Sequence, residues 1–510
     1  MLAIINSCTV YGMFGHPIQV EVDVSNGLPN FDIVGLPDTS VKESKERVRT
    51  AIKNSGFKFP MSRITVNLAP ADLKKEGPLF DLPIAVGILS ATGQIPRQGK
   101  LRNTAIVGEL SLDGKVRPVP GILAIADILS QTKGLDSFIV PEENACEAAL
   151  IKGLAVYPVT RLKDLAAFLG GEEDLLPFAV DAEALLKEDH CEHLCDMAEV
   201  KGQQGVKRAL EIAAAGGHNV LLVGSPGSGK TMLARRLPTI LPSLTLEESL
   251  EITRIYSIAG LLSRDQSLIT TRPFRAPHHS ASAASLIGGG RIPHPGEISL
   301  ACHGVLFLDE MLEYHKGILE ALRQPLEDKL VTIARVEAAY SFPAKFQLVG
   351  ALNPCPCGFF GDPVKECTCT PHQIQKYLGR ISGPLLDRID IRFDVPRVEY
   401  KELASEIRCE TSAEIRQRVE NARKIQGARL AGTGLTCNAH MERKQIQKYC
   451  QPSREAKQLL QEAFQRLNLS ARSHDRILKV ARTIADLDQS ENIQLPHIAE
   501  AIQYRGSHLL

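Results

Sequence analysis

Gly224-Ser225-Pro226-Gly227-Ser228-Gly229-Lys230-Thr231 decides how the chain is read. It matches at every position a loop whose glycines turn backbone N–H groups inward around a phosphate, closed by a lysine and a hydroxyl residue. Such a loop needs a strand before it and a helix after it. The apolar run Asn219 to Val223 precedes it, and a helical pattern begins near Lys230. In that setting the amides and the helix N-terminus cradle the β-phosphate, Lys230 reaches the β and γ oxygens, and Thr231 offers a hydroxyl to Mg²⁺. ATP and Mg²⁺ are the expected cofactors, and a plain glycine turn is the bland alternative.

Phosphate binding does not by itself require hydrolysis, so a second stretch matters. Val305-Leu306-Phe307-Leu308 reads as a buried strand ending in Asp309 and Glu310. Two adjacent acids permit two jobs: Asp309 to hold the Mg²⁺ water shell, and Glu310 to polarise the attacking water. In-line displacement at phosphorus needs a positioned nucleophile more than covalent help. An Asp-Glu pair alone is often a solvated turn; the loop upstream favours the functional reading.

Longer strings carry a resemblance. They are Asp196 to Gln203 before the loop, Arg275-Ala276-Pro277-His278-His279-Ser280, Pro295-Gly296-Glu297-Ile298, and Ser382-Gly383-Pro384-Leu385-Leu386-Asp387-Arg388-Ile389-Asp390. With them the chain resembles the magnesium-chelatase-like branch of AAA+ ATPases, and within it the ComM/YifB family of competence-associated proteins, over nearly its whole length. The resemblance implies that Asn353, after the strand Phe346 to Ala351, is a polar sensor placing the water. It implies that Arg388 is an arginine finger reaching the γ-phosphate of a neighbouring subunit, and Arg472 the sensor arginine of the helical domain, with Arg380 and Arg476 as competing candidates. A fixed guanidinium suits charge spread over the γ oxygens; ordinary surface ion pairs are the alternative for these arginines.

A finger acting in trans makes each site depend on its neighbour, so a closed ring is expected, and the resemblance implies a homo-hexamer. It also implies helicase and branch-migration activity on single-stranded or branched DNA, promoting recombination of incoming DNA in natural transformation, with recombination proteins as further partners. The alternative is a chelatase-like ATPase that remodels a metal cofactor or a protein partner; an ATP-regulated chaperone or scaffold is a third possibility.

The expected fold class is α/β: a P-loop AAA+ core with a parallel doubly wound sheet, an N-terminal α+β domain and a C-terminal helical lid. A chain of 510 residues exceeds a single core, so about two to four domains are expected. Residues 1–170 alternate short strands with helices: Ile18, Val20, Val22 and Val24 keep strand period, and Val41, Val48 and Ile52 form a helical stripe behind the caps Asp38, Thr39 and Ser40. Residues 171–195 read as an acidic linker, 196–397 as the ATPase core with a cysteine loop at 353–372, and 398–510 as helices, with Ile415, Val419, Ala422 and Ile425 at helical spacing. The resemblance implies a Lon-protease-like fold for 1–170, carried by Lys74 to Ala85 and Val107 to Ile125. Leu79 follows Gly77-Pro78, and Ile122-Leu123 follow Gly121, so the serine and lysine of a catalytic dyad are missing and peptide hydrolysis is not expected.

Cys355-Pro356-Cys357 and Cys367-Thr368-Cys369 put four thiols in a short loop. Four thiolates suit tetrahedral Zn²⁺, although the C-x-C pairs are tighter than the usual knuckle; reduced free thiols and a stapling disulfide stay open. His190, Cys191, His193 and Cys195 lack a second pair nearby and read as a capped helix start. His278, His279, His294 and His303 invite a catalytic metal site, but adjacent residues on extended chain point apart, so His278 and His279 do not easily share an ion; the four read instead as part of a family-specific insertion lining a pore.

Lys plus Arg and Asp plus Glu number 59 each, so no bulk field attracts nucleic acid, and DNA contacts need local basic loops. Lys42, Lys45, Arg47, Arg49 and Lys53 give one helix a basic face, for which solvation is the ordinary meaning. No leader or membrane span is evident, which predicts a cytoplasmic protein in which clustered cysteines stay reduced.

Overall fold

Apolar alternation builds the first sheet. Phe14–Ser25 is a strand in which Ile18, Val20 and Val22 are buried, and it pairs antiparallel with Arg63–Ala69 so that Val20, Val22 and Val24 stand opposite Leu68, Val66 and Ile64. In this computed structural model the described residues are 1–510 except 97–98, 188–194, 264–265, 291–292, 335–338, 399–407, 468 and 506–510. They form two compact units.

The first unit comprises Met1–Asp189, Leu246–Thr270 and Ala334–Ser341. Its seven-stranded mixed sheet runs, edge to edge, Asn30–Val34, Arg63–Ala69, Phe14–Ser25, Leu2–Tyr11, Thr104–Ile106, Ser137–Pro141 and Ala155–Val159. The helix Thr39–Asn54 buries Val41, Val48 and Ile52 and is capped by Asp38, whose carboxylate accepts from the Val41 amide at 2.8 Å. Its basic face is partly spent on structure: Arg47 donates from Nε to buried Asp81 at 2.7 Å, Lys45 lies 3.7 Å from Asp32, and Arg49 sits over the Phe59 ring. Within 171–195, the short helix Ala182–Lys187 packs through Ala182, Leu185 and Leu186 against Leu123 and Leu150.

The expectation of an unbroken unit over 196–397 is corrected: Leu246–Thr270 and Ala334–Ser341 belong to this first unit. The helix Leu246–Ile258 brings Ser257, which accepts from the Gly121 amide at 2.9 Å and donates to the buried Glu147 carboxylate; Arg254 reaches Asp127 at 2.8 Å. Burial pushes the Glu147 carboxyl up, against hydrogen bonds from Ser257, the Leu123 amide and Asn144. A buried carboxyl needs such donors, and the inserted helix supplies one of them.

The second unit comprises His190–Thr245, Thr271–Ile333 and Phe342–Leu510. Its five strands are all parallel, in the order Phe274–Arg275, Val305–Leu308, Gln347–Leu352, Val220–Val223, Ile391–Asp394. Val220–Val223, Val305–Leu308 and Gln347–Leu352 are buried along their whole length, as expected of a parallel sheet covered on both faces. The helices Ser412–Leu430, Arg443–Tyr449, Arg454–Arg466, Ala471–Leu487 and Leu495–Gln503 share a continuous core with the sheet side, through Ile415, Val419, Ala422, Ile477 and Ile498. Ile425 lies in the helix as its spacing predicts but is 36% exposed, and the neighbouring Gln426 is buried instead, its amide donating to Ala215 O at 3.0 Å.

Asp390 ties the last strand to the helix Ala471–Leu487. It is 4% exposed, pairs with Arg476, accepts from the Asn219 amide at 3.1 Å and lies 3.5 Å from His218. Burial alone would raise its pKa, but Arg476 and His218 outweigh burial and hold the carboxyl far below the usual range. A depressed folded pKa contributes stability that is complete above the unfolded value, about 3.9, and lost as pH falls below it. Asp390→Asn is therefore expected to cost about 3–5 kcal/mol at pH 7, the cost of orphaning a buried ion-pair partner, with the deficit shrinking below about pH 4. Unfolding midpoints of the two proteins between pH 7 and 3.5 check this; equal midpoints at pH 7 would contradict it.

Candidate active site

The carboxyl ends of three adjacent parallel strands meet at one edge of the second unit, the place where open α/β sheets bind ligands. Val220–Val223 leads into the phosphate loop, Val305–Leu308 into Asp309 and Glu310, and Gln347–Leu352 into Asn353. The loop turns through Gly229, φ 87°, directly into the helix Lys230–Ile240, a backbone conformation that side-chain-bearing residues seldom adopt.

The site residues are joined by hydrogen bonds. Lys230 Nζ donates to Gly224 O at 2.7 Å, Ser225 O at 3.0 Å and Asn353 Oδ1 at 3.2 Å. Its side chain is buried; burial pulls its pKa down, and Asp309 and Glu310 pull it back up. Thr231 Oγ1 donates to Asp309 Oδ2 at 2.7 Å, and the Glu310 amide donates to Asp309 Oδ1 at 2.9 Å. The hydroxyl and carboxylate thus present oxygen donors side by side, a set that suits a hard cation such as Mg²⁺. Glu310 has φ 46° and ψ 47°, and is exposed. A side-chain-bearing residue held in the left-handed region stores strain of the kind found at functional sites.

Two strings that carry the resemblance are bonded here: Arg275 donates to both Glu297 oxygens, at 2.6 and 2.7 Å. The two histidines after Arg275 correct the expectation that they point apart. The strand ends at Arg275, the chain beyond it leaves strand geometry and turns at His279 and Ser280, and the His278 and His279 rings lie 4.0 Å apart at 35°. His279 Nδ1 is 3.9 Å from Glu310 Oε2, and Tyr314 donates its hydroxyl to Pro277 O, holding that turn beside the acids. Nothing local in the sequence signals this proximity. His294 stands in a short antiparallel pair, its partner being Gly289. His190, Cys191 and His193 lie outside the described residues; Cys195 precedes Asp196, which caps the turn Met197–Glu199 with a reciprocal bond to Glu199.

The arginines gather elsewhere. Arg388 is 7% exposed, pairs with Glu327 and donates to Pro384 O at 2.6 Å. It lines a cavity of about 510 Å³ with Glu320, Arg323, Gln324 and Glu327. The Arg388 hydrogen bond is the main cause holding the Glu327 carboxyl low, with Arg472 and Arg323 adding to it. Arg472 is exposed, whereas Arg476 is committed to Asp390. Arg380 is bound to Leu312 O at 2.7 Å and to Glu313 at 3.2 Å.

Cys355, Cys357, Cys367 and Cys369 converge, with all four sulfurs within 4.8 Å of one another. Cys355 to Cys357 is 3.3 Å, and Cys367 lies 3.6 Å from each of them. The Phe360 amide donates to Cys355 Sγ at 3.3 Å and the Cys369 amide to Cys367 Sγ at 3.4 Å.

A family described as "Magnesium chelatase, subunit ChlI" matches residues 196–403, "Subunit ChlI of Mg-chelatase" matches 20–144, and the ChlI C-terminal family matches 409–505. The competence protein ComM of Haemophilus influenzae is 45% identical over 99% of this chain and 97% of its own length. This chain belongs to the ComM/YifB family. YifB of Salmonella typhimurium is 44% identical over the same shares, and Lon protease 2 of Bacillus subtilis is 30% identical over 30% of this chain and 29% of its own. The phosphate loop, Asp309-Glu310 and Asn353 of this ComM/YifB member all fall within the 196–403 match. No helix among the described residues is long and apolar enough to cross a membrane.

Proposed function

We propose that this chain is an ATP-hydrolysing motor of the AAA+ type that translocates on DNA and drives unwinding and branch migration of incoming strands, working as a homo-hexamer in the cytoplasm. The observation that carries the ATPase reading is the convergence of Lys230, Thr231, Asp309, Glu310 and Asn353 at the carboxyl edge of one parallel sheet. Lys230 and the loop amides grip the β- and γ-phosphates, Asn353 orients Lys230 and the water, and Glu310 draws a proton from that water as it attacks in line. Mg²⁺, held by Thr231 and Asp309, supplies the charge that offsets the phosphate oxygens. Arg388 serves as the finger for a neighbour's site and Arg472 as the helical-domain sensor.

The DNA track is supported by likeness to the protein named competence protein ComM. Residues 1–170 are assigned as a proteolytically inactive Lon-like domain, 196–397 without 246–270 and 334–341 as the motor core and 398–510 as its helical lid, while the four thiols of 353–372 are assigned to one structural Zn²⁺. A chelatase-like remodelling role is the second reading, favoured by the ChlI families that match across all three regions. ATP turnover with and without single-stranded and forked DNA at low salt separates the two. Stimulation by DNA, falling steeply with added salt because phosphate contacts release counterions, is the expected result; unchanged turnover without DNA retardation would remove the DNA reading.

A further inference from the structure

The cysteine loop is built onto the phosphate loop. Asn353, a partner of Lys230, is only two residues before Cys355. Gly358, immediately after the first thiol pair, has φ 86° and lies against Pro226: a Cβ there would stand 2.6 Å from both Pro226 Cγ and Cδ, and 3.9 Å from Asn353 Cγ. No side chain fits, so the Gly358 backbone is the surface on which the tip of the phosphate loop rests. Further along, Asp362 accepts from the Val364 and Lys365 amides at 2.9 and 3.0 Å, and the Ser225 side chain is among the groups that stabilise its carboxylate. The segment between the two thiol pairs thus abuts Pro226 and carries a carboxylate that Ser225 stabilises.

That segment has little else to fix it. Between Leu352 and Pro371 it contains no helix or strand, and beyond Pro354, Cys355 and Gly358 its residues are half-buried or exposed. The sulfurs supply the missing constraint. Tetrahedral thiolates around Zn²⁺ at about 2.3 Å stand roughly 3.8 Å apart, close to the 3.3 to 3.6 Å separations of Cys355, Cys357 and Cys367. Three sulfurs at nearly equal mutual distances suit a shared central ion better than one bonded pair and two spectators. The amide donors to Cys355 and Cys367 are the outer hydrogen bonds that orient metal ligands.

We propose that Zn²⁺ held by Cys355, Cys357, Cys367 and Cys369 locks this segment against Pro226 and Ser225, so that zinc occupancy sets the affinity of the phosphate loop for ATP. The inference rests on the ATP and zinc assignments above and adds the coupling between them. Linkage requires reciprocity: if zinc tightens ATP binding by some factor, ATP tightens zinc binding by the same factor at equilibrium.

The full-length chain, purified under reducing conditions without chelator, is assayed for zinc per chain and for Mg²⁺-dependent binding of a fluorescent ATP analogue. Zinc is then withdrawn by a zinc-selective chelator and restored. About one zinc per chain is expected, with affinity for the analogue falling about 5- to 150-fold on withdrawal, the usual range of coupling between two sites, and recovering on restoration. Gly358→Ala keeps all four thiols; it should retain zinc yet bind the analogue as weakly as the chelated protein, which separates loss of the clamp from loss of the fold. Zinc near one per chain with less than about a twofold change in affinity, in both the chelated protein and Gly358→Ala, would overturn the coupling and leave the zinc assignment standing. Protein that neither retains nor rebinds zinc would overturn both, and zinc-loaded protein that binds no analogue would overturn the ATP reading on which they rest.

Discussion

Glu310→Gln is expected to lower ATP turnover by about 10²- to 10⁴-fold, the usual contribution of a positioned general base, while ATP retention stays within about threefold of wild type because the phosphate grip does not use that side chain. The separation follows from the geometry. Binding groups lie on one side, with Lys230 held among Gly224 O, Ser225 O and Asn353, and Thr231 bonded to Asp309. Glu310 stands apart from these bonds: its amide is held by Asp309 Oδ1, its backbone is left-handed, and its carboxylate is exposed, 3.9 Å from His279. Glutamine keeps the shape and the backbone strain but cannot accept the proton. A steady-state phosphate-release assay beside nucleotide retention on a filter measures both quantities. Turnover within tenfold of wild type would assign the water to another group, with His279 the nearest candidate. Lys230→Ala is the contrasting control, since it should lose retention as well.

Much of this site was legible because its chemistry is contiguous in sequence. An eight-residue loop and a strand ending in two acids announce themselves, and the parallel sheet that joins them follows from the strand–loop–helix pattern around Val220–Val223. What escaped depends on distant packing. The seat of Pro226 on Gly358 joins residues more than a hundred positions apart, and a glycine carries no signal of what rests on it. The nearness of His279 to Glu310 depends on the chain leaving strand geometry after Arg275, where period-two reasoning stops applying. Leu246–Thr270 carries an amphipathic helix like its neighbours in the core; its docking with the first unit turns on single polar matches, Ser257 to Glu147 and Arg254 to Asp127. Gln426 in place of Ile425 shows the same limit: a buried amide satisfied by a carbonyl breaks a hydrophobic stripe.

Arg388→Ala is expected to cost about 10³- to 10⁵-fold in ATP turnover, the range for losing an arginine finger, although Arg388 is nearly buried within its own subunit. Burial offers a rival account in which the loss is structural, and Glu327 distinguishes the two. Glu327 is about half exposed and is the counter-ion of Arg388, itself nearly buried, so Glu327→Gln, whose amide oxygen still accepts from the guanidinium, should cost less than about 3–5 kcal/mol, the cost of orphaning a buried charge. If Arg388 only braces the fold, removing either partner should damage turnover and melting temperature together. If it is the finger, Glu327→Gln releases it towards the cavity it shares with Arg323 and turnover survives, while Arg388→Ala loses turnover at little cost in melting temperature. Mixing supplies the decisive arm. In the proposed ring an Arg388→Ala subunit retains Lys230 and Glu310, and a Glu310→Gln neighbour retains Arg388, so an equal mixture should restore about a quarter of the sites by random placement in a closed heterologous ring. Two inactive proteins that stay inactive together, under conditions where their subunits exchange, would return Arg388 to a structural role and leave Arg323 or Arg472 to supply the charge.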